Sequence, residues 1–223
     1  MQCAGYNPRI PSGLKKCKMN TQLISARDPQ AIPRALEILR AGGLVAFPTD
    51  TVYGLGALAF NGKAVESIYA AKDRPVEKAI PILIGDMDDL DKIAVDVPVM
   101  ARRLALRFWP GPVTLILPKV RTLPEAVSAT DTVAVRIPDH PVARALLRRI
   151  GPLAVTSANL AGQVSPTNAE ELIRQLNGRI PLILDGGETP GGIPSTLVDC
   201  LGAQPVILRE GPITWQEILS ILK

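Results

Sequence analysis

Short apolar runs alternate with segments of helical period along most of this chain, and that alternation limits its fold more than any other feature. The runs are Leu44–Phe47, Ile80–Ile84, Val113–Leu117, Thr132–Ile137, Leu153–Thr156 and Ile180–Leu184. Each is too short for a helix and reads as a buried strand. Between them, Asp28-Pro29 has the form of an N-cap with proline at the first helical position, and Ile32, Leu36 and Leu39 then recur at helical spacing until Gly42-Gly43. Asn61 is placed to cap a helix over Gly62–Lys72, with Val65, Ile68 and Tyr69 on one face. Val97–Phe108 reads as a helix closed by Pro110-Gly111-Pro112, and Asp139-His140-Pro141 opens another that runs to Gly151. Thr167-x-x-Glu170 and Thr214-x-x-Glu217 have the form of capping boxes. Thr196–Asp199 and Pro205–Arg209 flank a Leu201-Gly202-Ala203 turn as a hairpin.

Alternating helices and strands predict an α/β fold, and the hairpin and short connections predict a mixed sheet. No linker, repeat or low-complexity block divides the chain, so one domain is expected over residues 21–223. Residues 1–20 lack periodicity and are expected to be a disordered tail. They also lack the apolar core of a signal peptide. No apolar run reaches membrane-spanning length, and Cys3, Cys17 and Cys200 show neither disulfide nor zinc spacing. A cytoplasmic protein without membrane association is expected. Aromatic residues make up only 4% of the chain, so its core must be built mainly from Leu, Ile, Val and Ala. The net charge of +4 suits an anionic ligand or RNA without proving either.

The stretch Gly42–Gly56, GGLVAFPTDTVYGLG, is the most chemically suggestive. Pro48 ends regular pairing because it has no N–H to donate. Gly54 and Gly56 are expected to allow an irregular turn, which would hold the hydroxyls of Thr49, Thr51 and Tyr53 just past a strand end. Ligands of open α/β sheets bind in the crevice beyond such ends. Tight turn packing alone would account for the stretch about equally well.

His140 is the only histidine, which excludes sites needing two, and its place at a helix start favours a structural role. Gly54-Leu55-Gly56-Ala57-Leu58-Ala59 imitates a dinucleotide fingerprint but is separated from its strand. Gly62-Lys63 lacks the Walker glycine and hydroxyl. Asp86–Asp91 lacks the calcium-loop pattern and reads as a solvated helix start. Lys72, Arg74 and Lys78 lie where a helix gives way to a loop, and could hold a polyphosphate or be a solvated helix end. Ser157 and Asn159 follow one strand, Ser195 leaves a Gly/Pro-rich loop, and Arg136 and Arg209 stand at or near strand ends. One shared pocket explains these placements better than separate coincidences.

PTDTVYGLG, the Lys72-x-Arg74 pair with Pro75 and Lys78, FWPGPVTLIL at Phe108–Leu117, VAVRIPDHP at Val133–Pro141, TSAN at Thr156–Asn159, SPT at Ser165–Thr167 and PSTLVD at Pro194–Asp199 occur in one order. Together they resemble the YrdC/TsaC family, in its short, single-domain form. The resemblance implies a twisted open α/β sheet around a large basic cavity. It also implies an L-threonylcarbamoyladenylate synthase, a nucleotidyltransferase joining L-threonine, bicarbonate or CO2, and ATP into threonylcarbamoyl-AMP and pyrophosphate. That product serves threonylcarbamoyl-adenosine formation in tRNA, through downstream tRNA threonylcarbamoyl-transfer proteins. Carried over by position, Thr51, Arg136, Val155 and Ser195 would hold threonine. Arg74, Lys78, Thr132, Ser157, Ser165 and Arg209 would hold ATP. Lys72, Arg74, Ser157 and Asn159 would form the catalytic signature. Mg²⁺ is expected on the phosphates, with no protein metal site. No protein nucleophile is placed, so catalysis would rest on positioning and on the charges of Lys72, Arg74 and Lys78. Leu83 stands where some longer members carry histidine, and the additional C-terminal domain of longer members is not expected.

Two other classes fit less well. A double-stranded RNA or tRNA-binding module without synthase activity suits the charge, but few aromatics are available to stack on bases. A carbamoyl-phosphate hydrolase would resemble hydrogenase-maturation carbamoyltransferases, whose acylphosphatase-like and zinc-finger parts are not found here.

Overall fold

The computed structural model describes residues 20–75, 78–191 and 193–222; apart from Asn20, the expected tail lies outside the described residues. Its strands are β1 (Gln22–Ser25), β2 (Val45–Phe47), β3 (Gly54–Leu58), β4 (Ile82–Leu83), β5 (Val113–Pro118), β6 (Thr132–Arg136), β7 (Leu153–Ser157), β8 (Leu182–Asp185), β9 (Thr196–Asp199) and β10 (Val206–Arg209). They form one sheet in the order β1-β8-β2-β3-β7-β4-β6-β5-β9-β10. Pairing is parallel for β1/β8, β2/β8, β4/β6 and β5/β9, and antiparallel for β2/β3, β3/β7, β4/β7, β5/β6 and β9/β10. The fold is therefore an α/β mixed open sheet, as the alternation implied.

Among the described residues, six α-helices cover the sheet: α1 (Ala31–Arg40), α2 (Gly62–Lys72), α3 (Val99–Phe108), α4 (Pro141–Ile150), α5 (Ala169–Leu176) and α6 (Trp215–Leu222). Successive strand residues point to opposite faces. Val45 and Phe47 of β2, Leu153 and Val155 of β7, and Leu182 and Leu184 of β8 pack with α1 and α4 on one side. Ala46, Ala154 and Ile183 face the other side, with residues of α2, α3, α5 and α6. Both faces are buried, which is why these strands read as continuous apolar runs.

Several local expectations change. β1 carried no sequence signal, because three of its four residues are exposed. Helix α1 begins at Ala31, since the Asp28 carboxylate accepts from the Gln30 N–H at 2.8 Å and forms a turn ahead of the helix. The cap of α5 is shifted by one residue. Asn168 accepts from the Glu171 N–H at 2.9 Å, while Glu171 reaches back to the Thr167 N–H at 2.8 Å. Asn61 and the Thr214–Glu217 box cap α2 and α6 as expected.

The largest correction concerns Gly54 and Gly56. They do not form an irregular turn; they lie in β3, paired antiparallel with β2 and β7. Their role is close approach. A Cβ on Gly54 would stand 2.7 Å from Val155 Cγ1, and one on Gly56 would stand 2.9 Å from Phe47 Cε1. The irregular segment is confined to residues 48–53, between β2 and β3.

Candidate functional site

The strands converge on a cavity of about 510 Å³. The 48–53 segment contributes Thr49, Thr51 and Val52. The ends of β6 and β7 contribute Arg136, Val155, Thr156 and Ser157, and the β8–β9 connection and β10 contribute Ser195 and Arg209. Among the described residues, the charged side chains on the wall are Arg74, Arg136 and Arg209; no carboxylate lines it, although Asp50 pairs with Arg136 from behind. An interior with this charge favours an anion.

The cavity gathers Thr51, Arg74, Thr132, Arg136, Val155, Ser157, Ser165, Ser195 and Arg209, nine of the residues singled out from sequence. Arg136 is almost wholly buried. Its Nε donates to Gly111 O at 2.9 Å, Nη1 donates to Thr51 Oγ1 at 3.1 Å, and Nη2 donates to Asp50 Oδ1. Burial lowers its pKa, and the charge of Asp50 opposes that shift. Arg209 donates to Ser195 O through Nε at 3.1 Å and Nη2 at 2.9 Å, and its Nη2 reaches Ser195 Oγ at 3.2 Å. Ser195 Oγ also meets Thr114 Oγ1 at 2.7 Å. Arg74 lies at the loop after α2, with Nη2 on Ala79 O at 3.1 Å. Burial lowers the pKa of both Arg209 and Arg74.

Three residues of the expected set do not line the cavity: Lys72, Lys78 and Asn159. Lys72 is 1% exposed, and its Nζ donates to the carbonyls of Ser157 and Asn159. Its own carbonyl accepts from the Ala161 N–H at 2.8 Å. Lys72 thus pins the loop after β7 to the end of α2 rather than offering its charge to a ligand. Burial, helped by the charge of Arg74, brings its pKa down to about 7. Asn159 is equally committed. Its Oδ1 accepts from Ser157 Oγ at 2.5 Å, and its Nδ2 donates to Leu160 O and Gln163 O at 2.7 and 2.8 Å. The side chain of Lys78 is exposed, while its carbonyl accepts from Tyr69 Oη at 3.1 Å. Val155 is in place, but its N–H already donates to Pro81 O at 2.8 Å.

Tyr53 also departs from expectation. It is fully buried, donating to Gly187 O at 2.7 Å and accepting from the Gly186 N–H at 3.1 Å. Burial is the main reason its pKa is pushed up to about 12. It ties down the segment following β8, which is fastened further by Thr189 N–H to Thr167 O at 2.8 Å and Gly191 N–H to Thr51 O at 2.9 Å. Asp50, Thr114, Ser128, Thr130 and Thr156 were missed. Ser128, Thr130 and Thr132 form a hydroxyl ladder along the wall, with Oγ contacts of 3.0 and 2.9 Å. Their Ser-x-Thr-x-Thr spacing was the signal available in the sequence. Leu83 lines the cavity, where histidine was expected in longer relatives.

A family model named Sua5/YciO/YrdC, described as "Telomere recombination", matches residues 37–211. The chain belongs to the Sua5/YciO/YrdC family. Within that family it is 47% identical over 205 residues to the threonylcarbamoyl-AMP synthase of Bacillus subtilis, covering 91% of this chain and 59% of the relative. The chain thus spans about three fifths of that relative's length. It is also 37% identical to the threonylcarbamoyl-AMP synthase of Marinobacter nauticus, covering 76% of this chain and 91% of that protein. The solved structure of Pyrococcus abyssi Sua5 complexed with L-threonine superposes with a TM-score of 0.86 at 41% identity, covering 91% of this chain and 60% of that one.

Proposed function

We propose that this chain is an L-threonylcarbamoyladenylate synthase, a nucleotidyltransferase that makes threonylcarbamoyl-AMP and pyrophosphate from L-threonine, bicarbonate or CO2, and ATP. The product would serve the threonylcarbamoyl-adenosine modification of tRNA. The observation that carries the reading is the all-arginine charge of the cavity, with Arg136 held beside the Thr51 hydroxyl. Arg136 and Thr51 form a small polar end suited to an amino-acid carboxylate, which a guanidinium holds as a two-pronged fork. Arg74 and Arg209, with Ser157, Ser165 and Thr132, form a second region suited to a triphosphate and ribose. The threonine-bound relative and the two synthases support the proposed activity.

The threonine amine captures CO2 as a carbamate with loss of a proton, or bicarbonate with loss of water, and a carbamate oxygen attacks the α-phosphate of ATP, expelling pyrophosphate. The serine and threonine hydroxyls of the wall have no cysteine, histidine or carboxylate beside them on the wall, among the described residues, to act as nucleophile or base, so a covalent protein intermediate is not invoked. The chain's contribution is to align the two ends and to stabilise negative charge at phosphate with Arg74 and Arg209. Lys72 acts indirectly, by holding the Ser157 loop. The wall does not fit a protein cage for Mg²⁺, which needs oxygen ligands with at least one carboxylate; any Mg²⁺ comes with the triphosphate.

Pyrophosphate release from ATP and fresh bicarbonate tests the reading. Release should require L-threonine and should be much weaker with L-serine. Release independent of any amino acid would contradict it. tRNA binding with a steep salt dependence and no ATP turnover would favour an RNA-binding module instead.

A further inference from the structure

We propose that Asp50 determines specificity: it makes the polar end of the cavity accept a zwitterionic α-amino acid and reject a simple carboxylate. The inference rests on the reading that the substrate carboxylate engages Arg136.

The guanidinium of Arg136 and the carboxylate of Asp50 are paired, with side chains only 7% and 13% exposed. The pair is close to neutral as a unit. A guanidinium buried alone would attract any carboxylate strongly, because charge interactions strengthen away from water. With Asp50 behind it, an arriving net anion meets a carboxylate as well as Arg136 and its neighbour Arg209. A zwitterion brings no net charge, and its ammonium offsets the charge of Asp50. One N–H on each terminal nitrogen of Arg136 has no partner among the described residues, so both nitrogens can still donate to a ligand.

The neighbouring hydroxyls point the same way. Thr49 Oγ1 donates its one proton to Val52 O at 2.6 Å. In the 3.0 Å contact between Thr49 Oγ1 and Thr51 Oγ1, Thr51 must therefore be the donor. Thr51 also accepts from Arg136 Nη1, which leaves its hydroxyl only a lone pair to offer a ligand. That end of the cavity thus presents a fork for an acceptor beside a hydroxyl that takes only a donor. Asp50 Oδ2 is buried without a hydrogen-bond partner, so its charge is spent on no other group among the described residues. The nearby His140 adds no compensating charge, as burial lowers its pKa and favours the neutral ring.

The test compares L-threonine with its 2-hydroxy analogue, which keeps the carboxylate and a donor but lacks the ammonium charge. Calorimetric titration of the wild-type chain should show the analogue binding weaker by on the order of 10²-fold, since like charges set against each other disfavour binding. In Asp50→Asn, which keeps an acceptor for Arg136 Nη2, that ratio should fall to within several-fold, with thermal unfolding confirming a folded chain. Equal binding of both ligands by the wild type, or an unchanged ratio in folded D50N, overturns the proposal. If D50N does not fold, the wild-type ratio still decides against the proposal when it is near unity. Failure of the wild type to bind L-threonine at all would instead overturn the functional reading beneath it.

Discussion

The Lys72 ammonium is bonded to the backbone carbonyl of Asn159, across the gap between the end of α2 and the loop after β7. A second bond to Ser157 O makes this one side chain the brace for a cavity residue it does not accompany on the wall. Lys72→Met should strand both carbonyls and destabilise the chain by about 1–3 kcal/mol for each one left unsatisfied. Activity should fall through displacement of Ser157, while chemical denaturation measures the stability loss.

The same lysine gives a pH signature. Its pKa falls from 10.5 to about 7 on folding, so the unfolded chain binds the extra proton between those values. Stability from this group therefore rises with pH across that window. The neutral amine still carries two N–H donors for its two carbonyls, so the brace survives deprotonation. Urea midpoints for the wild type should gain this upward component between about pH 7 and 10, and Lys72→Met should lack it.

Gly54→Ala tests why glycine stands in β3. Its Cβ would meet Val155 Cγ1 at 2.7 Å, so the Val155 side chain or its strand must shift. Overpacking of this kind costs about 1–3 kcal/mol. A lowered melting temperature should be accompanied by weaker threonine binding, because Val155 lines the cavity.

Arg74→Ala and Arg136→Lys should separate the two ends of the cavity. Among the described residues, the Arg74 side chain donates only to carbonyls of its own loop, so its loss should leave the fold intact and lower turnover by on the order of 10²-fold or more. Arg136→Lys removes the planar fork and should raise KM for threonine much more than KM for ATP. Steady-state kinetics with each substrate varied in turn measures both.

Tyr53→Phe should cut the bonds to Gly187 O and the Gly186 N–H while keeping the ring in the core. Limited proteolysis should then cleave within residues 185–195 sooner than in the wild type, with only a modest change in melting temperature.

Much of the α/β architecture was legible because buried strands are continuous apolar runs and helix caps have chemical signatures. β1 was not, because an exposed edge strand needs no apolar pattern. Gly54 and Gly56 misled because glycine marks close packing as readily as a turn, and local sequence does not distinguish the two. Nine expected site residues line one cavity, since strand ends and their flanking hydroxyls are readable locally. The commitments of Lys72, Asn159 and Tyr53 were not readable. Their partners are backbone groups brought close only by the fold, and a buried cation looks the same in sequence as one facing a ligand.

The most direct test of the central claim is mass spectrometry of the product formed from ATP, L-threonine and ¹³C-bicarbonate by the purified chain. The account predicts threonylcarbamoyl-AMP that carries the label and forms only when all three substrates are present. A folded, ATP-binding chain that releases pyrophosphate but yields no labelled threonylcarbamoyl-AMP would contradict it.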